Sequence, residues 1–185
     1  DTSGGLDWQN AGAAVSFANG DNVFFDDTAV NFNVSMGSGV NPGVVIIISS
    51  SNYTFSGSSL ILTNPLYMEG PGSAALTTSG NSLSMLNLDG GTLQLPGGDI
   101  VSTLNLAGGT MQVLGSDTVT NYNWTGGTIQ IDNGGTSGLL NFPATTTIPS
   151  GGAVVWERSD SVISTVKFAG AGSFELIGSG SGNLI

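Results

Sequence analysis

The sequence predicts an all-β protein, a single-stranded β-solenoid, and three observations predict it. A ten-residue pattern recurs every 18 residues, as LNLDGGTLQL from Leu86, LNLAGGTMQV from Leu104 and YNWTGGTIQI from Tyr122. Inside each copy the apolar residues alternate. Leu86 and Leu88 share a face with Asn87 opposite, and Leu93 and Leu95 share one with Gln94 opposite. A period of two belongs to strands, and Gly90-Gly91 between the halves makes a corner rather than a helix. Charged residues are only 8% of the chain, although the net charge is −11.

Taken in order, residues 1–19 are a Gly- and Ala-rich leader whose apolar anchors include Leu6 and Trp8. Residues 20–177 form the solenoid, in roughly eight to nine coils, with 178–185 as a tail and possible intersubunit strand. Looser relatives of the repeat begin at Tyr53, Leu66 and Val166, and a decayed fourth copy begins at Leu140. The regular 18-residue coils therefore span about residues 81–148. Two short strands plus a third under the linking segment make one three-sided coil. Strands rise ~3.3 Å per residue and coils stack ~4.8 Å apart, which places equivalent residues over one another.

Stacking explains the residue choices. Leu86, Leu104, Tyr122 and Leu140 are expected to form one interior column, and Leu93, Met111 and Ile129 another. Asn87, Asn105, Asn123 and Asn141 align outside, as do Gln94, Gln112 and Gln130, and Thr92, Thr110 and Thr128. Stacked amides hydrogen-bond along a ladder, whereas a stack of like charges repels itself. The low charge content follows.

Composition also excludes functions. The chain has two basic residues, Arg158 and Lys167, against 13 acidic ones, which is too little positive charge for a nucleic-acid partner or an anionic membrane surface. Without Cys or His there is no thiol chemistry, imidazole base or ordinary zinc site. The apolar run Val44-Val45-Ile46-Ile47-Ile48 is too short for membrane insertion. A start at Asp1 fits signal-peptide removal after export, and equally a piece cut from a longer chain.

Few residues suggest chemistry. Asp21, Asp26 and Asp27 fall within seven residues and offer oxygens of the kind Ca²⁺ takes, against the plainer reading of a polar turn. Asp99 and Asp117 occupy equivalent positions in adjacent coils, so they must share a cation, share a proton or splay into solvent, and splaying is the expectation. Glycoside hydrolysis needs paired carboxylates, and Asp99/Asp117 or Glu157/Asp160 supply pairs of a sort any acidic solenoid offers. The reading is therefore not an enzyme and no cofactor beyond Ca²⁺. Trp124 replaces Leu88 and Leu106 in the repeat and is expected in the core. Trp8, in the leader, is the better candidate for an outside contact.

Three blocks in the first half carry a family resemblance. Gly20-Asp21-Asn22-Val23-Phe24-Phe25-Asp26-Asp27, Asn41-Pro42-Gly43-Val44-Val45 and Asn52-Tyr53-Thr54-Phe55-Ser56-Gly57 occur in that order. They resemble the blocks of the autotransporter-associated β-strand repeat, also called the passenger-associated transport repeat. Gly70-Pro71-Gly72-Ser73 and Gly90-Gly91-Thr92-Leu93 are similar to its GTL segments, while Ala74-Ala75 departs from its Thr-Leu step. The resemblance implies an exported bacterial β-solenoid, at the cell surface or outside the cell, and brings no catalytic residues.

A solenoid has two open ends, each a rim of unpaired backbone groups that natural solenoids cap. No amphipathic helix is evident at either end. The expectation is a structural subunit that joins to itself head-to-tail in an open-ended homopolymer, with Leu6, Trp8, Leu184 and Ile185 at the joint. The alternative is an adhesin segment that binds glycan or matrix as a monomer through its side ladders.

Overall fold

The computed structural model describes residues 8–162 and 165–177. Leu6, Leu184 and Ile185 lie outside the described residues. Within them the chain is a β-solenoid of about eight coils, each about 20 residues, with no helix. Three faces surround the core. The first carries Val23–Phe25, Val45–Ile47, Leu66–Met68, Leu86–Leu88 and the second halves of the long strands Ile100–Leu106 and Ser116–Trp124. The second is an eight-stranded sheet running from Asn33–Met36 at one edge to Ser173–Leu176 at the other. The third holds Ile61–Leu62, Ser82–Leu83 and the first halves of the two long strands.

Alternation decides which residues enter the core. Leu66, Leu86 and Leu104 stack in register and are at most 1% exposed, with half-buried Tyr122 next in the column. On the second face the column runs Tyr53, Ala74, Leu93, Met111, Ile129, Val154, Phe174. Small Ala74 sits between Tyr53 and Leu93, which leaves room for the tyrosine ring whose hydroxyl donates to the Asp26 carbonyl at 2.7 Å. Leu62, Leu83, Val101 and Val119 close the third side.

The corner between the first two faces needs glycine. Gly91, Gly109 and Gly127 adopt φ of 62°, 65° and 75° in successive coils. A Cβ on Gly109 would come within 2.6 Å of the Gly90 carbonyl oxygen one coil earlier. The close approach lets Thr110 N–H donate to Gly91 O and Thr128 N–H donate to Gly109 O, both at 2.8 Å.

The register corrects the sequence reading at Leu140. Leu140 pairs with Asp117, not Tyr122, and Asn141 leaves the outer amide column. The cause is an inserted loop after Ile131, so the second face is regained only at Gly152–Trp156, where Thr128 pairs with Ala153. Asp132, at φ 69°, organises that loop by accepting from the N–H groups of Asn133, Gly135, Ser137 and Gly138. Arg158, 7% exposed, clamps it by donating to the Gly138 and Thr136 carbonyls while pairing with Asp160 at 2.8 Å.

The two ends differ. At the first, Trp8–Asn10 and Ala13–Val15 form an antiparallel hairpin, and the Trp8 ring packs edge-on against Phe25 with centroids 5.6 Å apart. At the last described coil, Phe174 and Leu176 continue interior columns yet are 36% and 47% exposed. Among the described residues no helix is long and apolar enough to cross a membrane.

Candidate functional site

The third face turns a row of polar side chains inward. Gly97 and Gly98, at φ 122° and 72°, bend the chain so that Asp99 enters the wall, and Ser116–Trp124 places Asp117 beneath it. Asn81, Asp99 and Asp117 are 1%, 1% and 4% exposed. The expectation that the two carboxylates splay into solvent is therefore corrected. They are buried because the backbone offers them donors: the Asn81 N–H and side-chain amide both donate to Asp99 Oδ1 at 2.7 Å, and Gly97 N–H donates to Asp99 Oδ2 at 3.1 Å.

Asp117 is served less completely. Its Oδ1 accepts the Asp99 N–H at 2.9 Å, but its buried Oδ2 accepts no hydrogen bond. Burial pushes the Asp117 carboxyl up to about 7, and the Asp99 charge one coil away adds to the rise. Beside it lies a cleft of about 400 Å³, whose walls include Leu140, Phe142 and Trp156. Such a pair is placed to hold a proton.

No family model, curated protein or solved structure matches this chain.

The structure does not bring Asp21, Asp26 and Asp27 onto one centre. Asp21 Oδ2 accepts from Ala18 N–H at 2.8 Å, and Asp26 Oδ1 accepts the Thr28 N–H and hydroxyl at 2.9 and 2.6 Å. Asp27 reaches into the next coil, where Ser49 Oγ donates to it at 2.5 Å and the Ser50 and Ser51 N–H groups join in. Those donors hold the Asp27 carboxyl well below the ordinary aspartate range, and the Thr28 donors lower Asp26 likewise. Among the described residues no three acidic side chains group around a common point.

The outer columns vary in their bonding. Asn105 donates to Asn87 Oδ1 at 2.6 Å and Asn123 donates to Asn105 Oδ1 at 2.7 Å. Gln94 donates to Gln112 Oε1 at 2.7 Å, while Gln130 turns away and donates to Glu157 Oε2 at 2.7 Å. Thr92, Thr110 and Thr128 align in register, all half-buried. Trp124 is half-buried against the core, in register with Leu106. Trp8 also packs inward, on Phe17 and Phe25.

Sequence reasoning gave neither Asn81 nor Arg158 a structural role. The signal for Asn81 was present, because Gly80-Asn81-Ser82 aligns with Gly98-Asp99-Ile100 at the same spacing of 18. No comparable pattern marks Arg158, whose role depends on a loop inserted only once.

Proposed function

We propose that this chain is a structural extracellular subunit that adds head-to-tail to copies of itself and builds a bacterial surface or extracellular filament. The observation that carries the reading is that one parallel sheet, among the described residues, ends in two open strands. Among the described residues, the strand Asn33–Met36 pairs only with the strand Tyr53–Gly57, and Ser173–Leu176 only with Gly152–Trp156. All these strands run in the same direction, so a second molecule shifted along the axis would continue the sheet. Phe174 and Leu176 supply apolar surface for that joint, since their counterparts Val154 and Trp156 are 0% and 4% exposed. The Trp8 hairpin closes the core at the first end, and among the described residues no strand pairs with the outer edge of Asn33–Met36. Resemblance to the autotransporter-associated repeat favours export and a surface location.

The test is negative-stain microscopy and light scattering over a concentration series, on the wild type and on the double variant Phe174→Asp, Leu176→Asp. Fibres of the wild type and monomers of the folded variant are expected. Monodisperse wild-type particles at every concentration would remove the filament reading.

One observation favours a second reading, glycan binding by the monomer. The outward column of the first face runs Phe24, Ile46, Tyr67 and then the amides of Asn87, Asn105 and Asn123, and Phe24 is 58% exposed. Aromatic faces and amides in line suit stacking on, and hydrogen bonding to, a sugar chain. Glycan-array binding lost on Phe24→Ala would support it.

A further inference from the structure

Most polar groups in this wall have a partner; the buried Oδ2 of Asp117 does not. The neighbouring positions show what is missing. Asn81 gives Asp99 Oδ1 a backbone and a side-chain donor and Gly97 N–H serves Asp99 Oδ2, whereas Asp117 Oδ1 receives the Asp99 N–H alone and Asp117 Oδ2 receives nothing. Two carboxylates have no hydrogen to place between them. A single proton supplies it.

We propose that Asp99 and Asp117 form a proton-binding site, a carboxylic acid–carboxylate pair that bonds two adjacent coils when it holds one proton and loosens them when the proton leaves. The geometry supports each part. Coils stack ~4.8 Å apart, which brings in-register carboxyls close to hydrogen-bond range. Asp99 is already fixed as an acceptor by three N–H donors, so the proton resides on Asp117 and points to Asp99. The cleft beside Asp117 gives water a route to the pair and space for an ionised carboxylate to swing away from its neighbour.

No other charge compensates the pair. Asn81, in the preceding coil, is neutral, and so are Leu139, Leu140, Asn141 and Phe142 in the following one. Across the cleft, Trp156, Val162, Thr165 and Val166 are neutral too. Arg158 is committed to Asp160 and to the carbonyls of Thr136 and Gly138. Asp99 is thus the one ionisable neighbour among the described residues.

The sign follows from linkage. A carboxyl raised in the fold binds its proton where the unfolded chain has released it, so stability is full below the ordinary aspartate range and declines as pH rises through neutral. Because the chain has no His and no Cys, the neutral window is free of their titrations.

The experiment pairs infrared spectroscopy with thermal unfolding of the full chain, from about pH 5.5 to about pH 8.5. The wild type should show a protonated-carboxyl carbonyl band that disappears near neutral pH, with a melting temperature falling by about 5–10 °C over the same range. Asp117→Asn places a permanent donor beside Asp99. It should remove the band, flatten the pH dependence and melt above the wild type at the alkaline end. Absence of the band in the wild type, which requires no variant, would overturn the proposal. So would an equal alkaline decline in the folded Asp117→Asn protein.

Discussion

Asn105 Nδ2 lies 2.6 Å from Asn87 Oδ1, so the side chain of one coil donates to the side chain of the coil before it. The same residue accepts from Asn123 at 2.7 Å, which makes Asn105 the middle rung of a three-amide ladder. Asn105→Ala breaks both bonds and should cost about 1–3 kcal/mol in urea unfolding. Asn105→Asp should be worse above the carboxyl's titration range, because a carboxylate accepts from Asn123 but cannot donate to Asn87.

Two glycines with similar backbone angles should respond differently to the same substitution. Gly109 at φ 65° would place its Cβ 2.6 Å from the Gly90 carbonyl oxygen, whereas Gly134 at φ 79° has nothing within 4 Å. Gly134→Ala should cost about 1 kcal/mol, the price of the left-handed backbone alone. Gly109→Ala adds a backbone collision between coils and should cost about 2–4 kcal/mol. Denaturant midpoints of the two variants measure the difference.

Met111 is fully buried, in register with Leu93 on one side and Ile129 on the other. Met111→Ala opens a cavity between close-packed coils and should destabilise by about 2–5 kcal/mol, while Met111→Leu should cost under about 1.5 kcal/mol. Calorimetry of both variants separates lost volume from changed shape.

Asp27 answers to acid in the sense opposite to Asp117. Its carboxylate gathers donors from Ser49, Ser50 and Ser51, which lower its titration below that of an unfolded aspartate. Its stabilisation is present above the ordinary aspartate range and is lost as pH falls through and below it. Asp27→Asn should therefore lose stability at neutral pH and show a shallower decline in acid, read from melting temperatures on a descending pH series.

The coil interior was legible in the sequence wherever the repeat stayed regular. Leu86, Leu104 and Tyr122, or Leu93, Met111 and Ile129, are 18 residues apart, and a one-residue slip from parallel in-register pairing would turn these columns away from the core. The leader was harder. Trp8 was expected to reach outward, yet its partners Phe17 and Phe25 become neighbours only when the hairpin folds over the first coil.

By itself, then, the sequence determined the solenoid, its three faces and the outward rows of amide and threonine, because strand alternation and a constant spacing are local and repeat from coil to coil. Only the tertiary structure decided that Leu140 stands opposite Asp117, since that register depends on a single loop held by Asp132 and Arg158. Only it decided, too, that Asp99 and Asp117 lie inside. Alternation marks two sides of a strand without saying which is the core, and here backbone donors on the inner side outweigh the cost of burying an acid.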